Sequence, residues 1–218
     1  MADTVVNLWR PQSDAEMAAE LEARFPTLRL RDTDRGPQVA GAFNIEHERR
    51  FLAGFMIEVD LARHDVVGLP VVREVGGRIP RTRDRHVNPD GTACLYLPED
   101  LVLRHSHPMG LADFLDGPVR SFFTGQACVE VGMPFPQGEW PHGDDGRDQL
   151  LVDLLGIEDT ETQNAFLKLL SRKVIKAHWR CPCGSGQPIR RCHRQLIFGL
   201  RRRLSLRQRR FLLGRTSC

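Results

Sequence analysis

Three cysteines and one histidine are clustered near the C-terminus of the chain, at Cys181, Cys183, Cys192 and His193. Three thiolates and one imidazole make up a four-ligand shell of the kind that zinc (Zn2+) takes in structural sites. Glycines follow the first pair of cysteines, so the backbone can turn tightly around a metal ion. A segment this short has too little core to fold alone, and we expect metal binding to supply its folding free energy. All four ligand positions are filled, which predicts a site without an open position for catalysis.

The order Cys-x-Cys-Gly-Ser-Gly followed by Cys-His resembles the SEC-C motif, which is known from the tail of the preprotein-translocating ATPase and from many bacterial proteins. The resemblance implies an appendage that docks to a protein or associates with nucleic acid. The six cysteines are not regularly spaced, as they would be in a secreted disulfide scaffold. The clustered cysteines are typical of a metal site in a reducing compartment. The first residues have no signal-peptide pattern, so we expect a cytoplasmic protein.

The charge of the chain changes sign after residue 161. All 28 Asp and Glu precede residue 162, whereas 15 of the 31 Lys and Arg follow residue 161, so a net charge of −12 is succeeded by one of +15. Charge blocks of this kind predict two functional units. Residues 195–218 form a basic amphipathic tail. The tail either folds back as a solvated helix onto the acidic body, or it binds an acidic partner, nucleic acid or an anionic membrane surface.

The apolar periodicity predicts one helix, then strands, then more helices. Helices are predicted over residues 13–25, 111–131 (with a kink at Gly117-Pro118), 149–156, 160–178 and 195–213, and strands over 27–31, 39–45, 55–61 and 71–75. Residues 80–100 and 132–149 are turn-rich. The order predicts an α+β fold, in which a four-stranded antiparallel meander has flanking helices and carries a small zinc motif and a basic helix. With 41% hydrophobic residues and no window of about 18 apolar ones, membrane-spanning and wholly disordered classes are excluded.

The turn-rich segment contains a second cysteine of interest, Cys94. Pro89-Asp90-Gly91 is a tight-turn sequence that would fold Asn88 back toward this thiol. A thiolate at this place can attack a thioester and hold the acyl group covalently. The Asn88 amide can then donate a hydrogen bond to the oxyanion that forms when an amine attacks. The alternative is a buried structural cysteine beside an asparagine that caps a turn.

The loop contains His86-Val87-Asn88, then Gly91, then Cys94-Leu95. This order resembles the active-site loop of the ubiquitin-conjugating enzyme (UBC) family. In that family the loop runs His-Pro-Asn, a turn, a Gly and the acceptor Cys followed by Leu. The resemblance implies a UBC-like fold over residues 10–150, with Cys94 as the acceptor, Asn88 as the oxyanion donor and His86 bracing the loop. Val87 replaces the middle Pro, and the Asn-to-Cys spacing is shorter than in the eukaryotic enzymes. Residues 138–143 look more like bacterial relatives from ubiquitin-like conjugation and antiphage operons, including CBASS-type systems.

The resemblance therefore implies a transferase that accepts a ubiquitin-like protein, or another activated C-terminus, from an activating enzyme and passes it to an amine of a protein substrate. Two alternatives are a non-catalytic UBC-like scaffold with a zinc-stabilised tail, and a nucleic-acid-binding protein that acts through its tail.

The expected domains are a UBC-like domain (1–156), a helical linker (157–179), the SEC-C zinc motif (180–194) and the basic tail (195–218). Secondary candidates are Asp90 and Asp100 for orienting an amine, and His105, His107 and His142 for proton transfer; Cys128 is expected in the core.

Overall fold

The 218-residue chain is described here from a computed structural model. The structure describes residues 6–47, 50–105, 107–136, 138, 141 and 144–214. The chain divides into two compact units. The sheet unit comprises the described parts of 7–96 and 105–139, and the helical unit comprises Val6, 97–104 and the described residues from 141 onward.

The sheet unit begins with α1 (Asp14–Arg24), as the sequence predicts. Ser13 and Glu16 form a capping box, in which the Ser13 hydroxyl accepts from the Glu16 N–H at 3.3 Å and the Glu16 carboxylate accepts from the Ser13 N–H at 2.8 Å. These two bonds satisfy N–H groups that have no partner inside the helix. Met17 and Leu21 are buried on the inner face of α1.

Four antiparallel strands follow in the order β1-β2-β3-β4, so the predicted meander is confirmed. The strands are β1 (Leu28–Thr33), β2 (Gly36–His47), β3 (Arg50–His64) and β4 (Pro70–Glu74). Gly41 in β2 has φ +144, and a Cβ at this position would lie 2.2 Å from the carbonyl oxygen of Thr27. Only glycine lets β1 and β2 approach this closely.

Two further helices follow the sheet; the second packs against β2 and β3, and the first packs against α1. They are α3 (Leu111–Phe114) and α4 (Arg120–Glu130), and a π-helical turn over Leu115–Val119 joins them. Pro118 lies in that turn, so the predicted kink is confirmed; a proline inside a helix removes a backbone donor and displaces the chain. Phe123 of α4 is fully buried, and its ring centroid lies 4.9 Å from Phe55 and 5.8 Å from Phe43.

The helical unit contains five helices among its described residues. They are α2 (Pro98–Arg104), α5 (Asp144–Leu155), α6 (Thr160–Leu170), α7 (Arg194–Arg203) and α8 (Leu206–Gly214). The unit has its own hydrophobic core, whose buried members are Leu151, Leu155, Phe166, Leu167, Leu170, Ile175, Cys181, Ile189, Ile197, Leu200, Leu204 and Leu212. The predicted linker, zinc motif and basic tail therefore all contribute to one core.

Several helix boundaries differ from the prediction. Helix α2 begins inside the segment 80–100 that is predicted to be irregular and continues to Arg104. Helix α5 begins five residues before the predicted start, and α6 ends at Leu170 rather than near residue 178. The basic tail forms two helices, because Ser205 starts α8 with its own cap. The Gln208 N–H donates to Ser205 Oγ at 3.2 Å, and the Ser205 N–H donates to Gln208 Oε1 at 2.8 Å.

The compact units also divide the chain differently from the predicted boundary at residue 156, since α5 packs with α6 and α2 in the helical unit. In the portion of the chain described, every helix is too short or too polar to cross a membrane.

Candidate functional site

Cys94 lies at the end of a tight hairpin that follows β4. The Cys94 N–H donates to the His86 carbonyl at 2.8 Å, and the Asn88 N–H donates to the Thr92 carbonyl at 2.8 Å. The turn between them closes with a bond of 2.8 Å from the Gly91 N–H to the Asn88 carbonyl. The three predicted site residues His86, Asn88 and Cys94 thus come together in one hairpin.

The hairpin is attached to the sheet on one side and to α4 on the other. The Ala93 N–H donates to the carbonyl of Val72 in β4 at 2.8 Å. Gln126 of α4 is fully buried; it accepts from Arg85 Nε and donates to the Arg85 carbonyl, both at 2.8 Å. This buried amide bonds both to the side chain and to the backbone of Arg85, and so attaches the segment before Cys94 to α4.

Asn88 braces the turn through its side chain. Its amide donates to Thr92 Oγ1 at 2.9 Å, and the Thr92 hydroxyl donates to Asp90 Oδ1 at 2.6 Å. Asp90 also pairs with Arg63 at 3.2 Å. The hydrogen bonds from Thr92, followed by Arg63, lower the pKa of Asp90, which keeps it ionised. Stabilising an oxyanion from this arrangement would use the second N–H of the Asn88 amide.

His86 occupies a strained backbone position. Its φ of 51° is in the left-handed region, where it ends a short 3-10 helix over Arg83–Arg85. Non-glycine residues adopt this conformation at a cost of about 1 kcal/mol or more, and such strain is often found at functional loops. The imidazole packs edge-on against Phe135, with 5.3 Å between ring centroids. This contact joins the loop before Cys94 to the segment that follows α4.

The side chain of Cys94 is exposed, unlike the buried structural cysteine of the alternative interpretation. Although it reaches solvent, the packed groups around the sulfur partly desolvate the thiol and raise its pKa. The thiol is therefore protonated at neutral pH. A thiol of high pKa is a strong nucleophile once ionised and a poor leaving group once acylated.

Tyr96 and Asp65 form a hydrogen-bonded pair beside Cys94, and neither residue is among the predicted site residues. The Tyr96 hydroxyl donates to Asp65 Oδ2 at 2.5 Å, while Asp65 Oδ1 accepts from the N–H groups of Val67 and Leu69 at 2.9 and 3.0 Å. Burial, and then the charge of Asp65, raises the pKa of Tyr96. Tyr96 is the one tyrosine of the chain and lies two residues after Cys94, which is the signal that could have identified it.

The secondary candidates are distributed over both units. Asp100 lies in α2 of the helical unit and pairs with Arg104 at 2.9 Å. His105 and His107 are exposed, and Cys128 is half-buried in α4 rather than in the core. His142 and most of the predicted bacterial-type ending (139, 140, 142 and 143) lie outside the described residues.

Alkylation of Cys94 by iodoacetamide is expected to keep accelerating as the pH rises past 9.0, the usual pKa of the group, because only the thiolate reacts and the pKa of Cys94 is raised. Peptide mapping of the alkylated protein between pH 6 and 11 measures this rate at Cys94. A plateau near pH 7 would instead reveal an activated thiolate. Cys94→Ser identifies the peptide that carries the signal.

The predicted metal ligands converge in the helical unit. The sulfurs of Cys181, Cys183 and Cys192 and a ring nitrogen of His193 lie within 4.8 Å of one another. His193 Nδ1 is 3.3 Å from Cys181 Sγ and 3.2 Å from Cys192 Sγ, and the sulfurs of Cys183 and Cys192 are 3.4 Å apart. A tetrahedral zinc shell has ligand separations of about 3.6–3.8 Å. These three pairs would have to widen by a few tenths of an ångström around a metal ion, and all four ligand atoms lie close enough together to be candidate ligands of one ion.

A short hairpin and the start of α7 bring these ligands together. The Cys181 N–H donates to the Gln187 carbonyl at 2.8 Å, and Arg180 pairs with Pro188 across the hairpin. Ser185 lies at the tip, with its Oγ 3.2 Å from the sulfur of Cys183. Hydrogen bonds from the Ser185 side chain and backbone lower the pKa of Cys183 to about 6, which favours the thiolate that binds metal.

The cluster is part of the hydrophobic core. Cys181 is buried together with Ile189 and Ile197, and the His193 imidazole packs edge-on against Phe166 at 5.2 Å between centroids. The motif shares the core of α5–α8 and has none of its own, in agreement with the expectation that it has too little core to fold alone. These four residues are a candidate metal site of three sulfur ligands and one nitrogen ligand.

Comparisons of the chain with protein-family models, with curated proteins and with solved structures gave no match.

Proposed function

We propose that the chain is a ubiquitin-conjugating-like transferase that carries an activated C-terminus as a thioester on Cys94. The observation that carries the proposal is an exposed thiol at the end of a hairpin that is attached to both β4 and α4. A covalent acyl carrier needs such a thiol, accessible to two macromolecular partners and fixed in position. The order of α1, the meander, the cysteine loop and α3–α4 is also the order that the UBC resemblance implies.

The proposed reaction has two acyl-transfer steps. In the first, the Cys94 thiol gives its proton to solvent, and the thiolate attacks the thioester carbonyl of a ubiquitin-like protein held by its activating enzyme; a new S–C bond forms, the old S–C bond breaks, and the enzyme's thiolate leaves and takes up a proton from solvent. In the second, an amine of a protein substrate attacks the Cys94 thioester, the C–N bond forms, Cys94 leaves as thiolate, and the ammonium proton passes to solvent. Because the pKa of Cys94 is raised, the acyl group resists release until an amine is positioned.

The other site residues have supporting roles in this proposal. Asn88 offers its second amide N–H to the oxyanion, and Thr92 holds the first one. His86 braces the loop against Phe135. The hydrogen bond between Tyr96 and Asp65 holds the backbone that follows Cys94 in position. The bacterial conjugation or antiphage setting rests on the resemblance of residues 138–143 alone.

For the metal cluster we propose zinc, since three thiolates and one imidazole are one of its usual structural ligand sets. Cys181, Cys183, Cys192 and His193 would hold the ion. The ion would link the hairpin to the start of α7 and so stabilise the fold. It would take no part in catalysis.

The test is acylation of the full chain by a peptide that ends in Gly-Gly and carries an alkyl thioester, followed by intact mass measurement. We expect an adduct that dithiothreitol removes and that Cys94→Ala abolishes, with a decrease of at least 100-fold. Cys128→Ala is the matched control, because that cysteine is half-buried in α4 of the same unit. Absence of the adduct on the unmodified chain, or its persistence on Cys94→Ala, contradicts the proposal.

A second candidate function is a non-catalytic binding module with the same architecture. It is favoured by the protonated state of Cys94 and by the engagement of the Asn88 amide with Thr92. A native thiol that accepts neither iodoacetamide nor the thioester peptide would support this function.

A further inference from the structure

The arginines of the basic tail are not all available to a partner. Arg209 is 6% exposed and donates to the Leu170 carbonyl at 2.6 Å, and Arg210 donates to the Ser171 carbonyl at 3.4 Å. Arg201 donates to the Lys173 carbonyl at 2.8 Å. These residues cover the C-terminal end of α6, where cations satisfy free carbonyls and complement the helix dipole. These three arginines of the tail therefore bind backbone carbonyls within the helical unit.

A different set of cations is exposed around the metal hairpin. The residues between α6 and the hairpin contribute one group, and the turn before His193 contributes the other. We call them the hairpin cations: Arg172, Lys173, Lys176, Arg180, Arg190 and Arg191. The Arg190 N–H donates to the Ala177 carbonyl and the Ile189 N–H to the Trp179 carbonyl, both at 2.8 Å, so the two groups become neighbours.

An aromatic ring lies within this basic surface. Trp179 is half-buried, and the Arg172 guanidinium lies over its ring at 5.4 Å from the centroid. One accessible ring offers little stacking, so this surface would act mainly through charge. The chain contains no Asp or Glu after residue 161, so the segments that carry the hairpin cations have no carboxylate side chain of their own.

We infer that the hairpin cations form a nucleic-acid surface that binds the phosphodiester backbone without reading its sequence. Guanidinium groups bind phosphate oxygens in a bidentate manner, and neutralising several phosphates releases counterions. An acidic protein surface would also complement this charge. Nucleic acid is favoured because four of the six hairpin cations are arginines, whose guanidinium groups match phosphate oxygens in a bidentate manner. The inference does not depend on thioester chemistry at Cys94.

The metal site determines the arrangement of these charges. Arg180 precedes the ligand Cys181, while Arg190 and Arg191 precede Cys192 and His193, so the ion fixes the distance between the two groups. Zinc-loaded protein is therefore the form to test.

The experiment measures fluorescence anisotropy of a labelled 20-base-pair DNA duplex with the full zinc-loaded chain between 50 and 200 mM salt. The test variant combines Arg180→Gln, Arg190→Gln and Arg191→Gln. Because this variant can no longer neutralise three of the phosphates, the slope of log K against log salt is expected to flatten by roughly 3, and affinity at 50 mM salt to fall at least 10-fold. The control variant, Arg31→Gln with Arg35→Gln and Arg81→Gln, removes the same charge from exposed positions of the sheet unit.

Zinc content and far-UV circular dichroism verify that both variants are folded. An equal decrease of affinity in the two variants, or salt-independent binding, overturns the inference. So does a labelled 20-residue poly-glutamate peptide that binds as tightly as the duplex, since that result assigns the surface to an acidic polypeptide.

Discussion

Cys181→Ala is expected to abolish metal binding and to open the helical unit. Cys181 is both a predicted ligand and a buried member of the core, so its loss removes one of four metal bonds from a site on which the hairpin depends. Metal binding at structural zinc sites is worth on the order of 10 kcal/mol and is coupled to folding. We expect amide exchange in α6 and α7 to accelerate at least 100-fold, which corresponds to about 2.8 kcal/mol.

Metal content by plasma mass spectrometry and hydrogen exchange by mass spectrometry measure this outcome. Cys128→Ala is the control, because it removes a half-buried thiol from α4 and should leave the metal content unchanged. Removal of metal from the unmodified chain with a chelator should reproduce the exchange pattern of Cys181→Ala. Full metal content in Cys181→Ala, or slow exchange of α7 after chelation, would show that the cluster does not stabilise this unit.

Phe123→Ala should destabilise the sheet unit by about 3–5 kcal/mol, since a fully buried phenylalanine leaves a cavity that neighbours fill only partly. The ring contacts Phe43 and Phe55 of the sheet as well as Phe122 of its own helix. A loss of this size is a large fraction of the total stability of a typical domain. Helix α4 also carries Gln126, so the Cys94 N–H is expected to exchange faster as well.

The exchange rates of β2 and β3 amides report on this change without assuming that the two units unfold together. Phe51→Ala is the matched control, because Phe51 belongs to β3 but is 64% exposed. Its effect should remain within about 0.5 kcal/mol. Similar effects of the two substitutions would contradict the assignment of Phe123 to the core.

The candidate sites were predictable to different degrees. The four metal ligands lie within thirteen residues, so their spacing alone indicated that they would meet. The hairpin at Cys94 followed from the turn residues Pro89-Asp90-Gly91, which act locally. Asp65 and Gln126 carried no comparable signal, because they reach the loop from 31 and 41 residues away through side-chain hydrogen bonds.

The tail contains a local signal that its apolar periodicity obscures. Ser205 and Gln208 have the spacing of a capping box, which predicts that a helix starts at Leu206. The continuous apolar periodicity of residues 195–213 concealed this break. Helix α2 was missed because its seven residues are too few for periodicity to show.

Local chemistry in the sequence by itself determined the capping box of α1, the order of the four strands, the kink at Pro118 and the metal-ligand cluster, since each depends on neighbouring residues. Only the tertiary structure decided which cations bind backbone carbonyls inside the protein and which are exposed to solvent. Arg209 and Arg190 are equally basic in the sequence, yet one is buried against the end of α6 and the other is exposed on the metal hairpin. The physical reason is that burial and hydrogen-bond partners depend on residues distant in the chain, which composition and spacing do not specify.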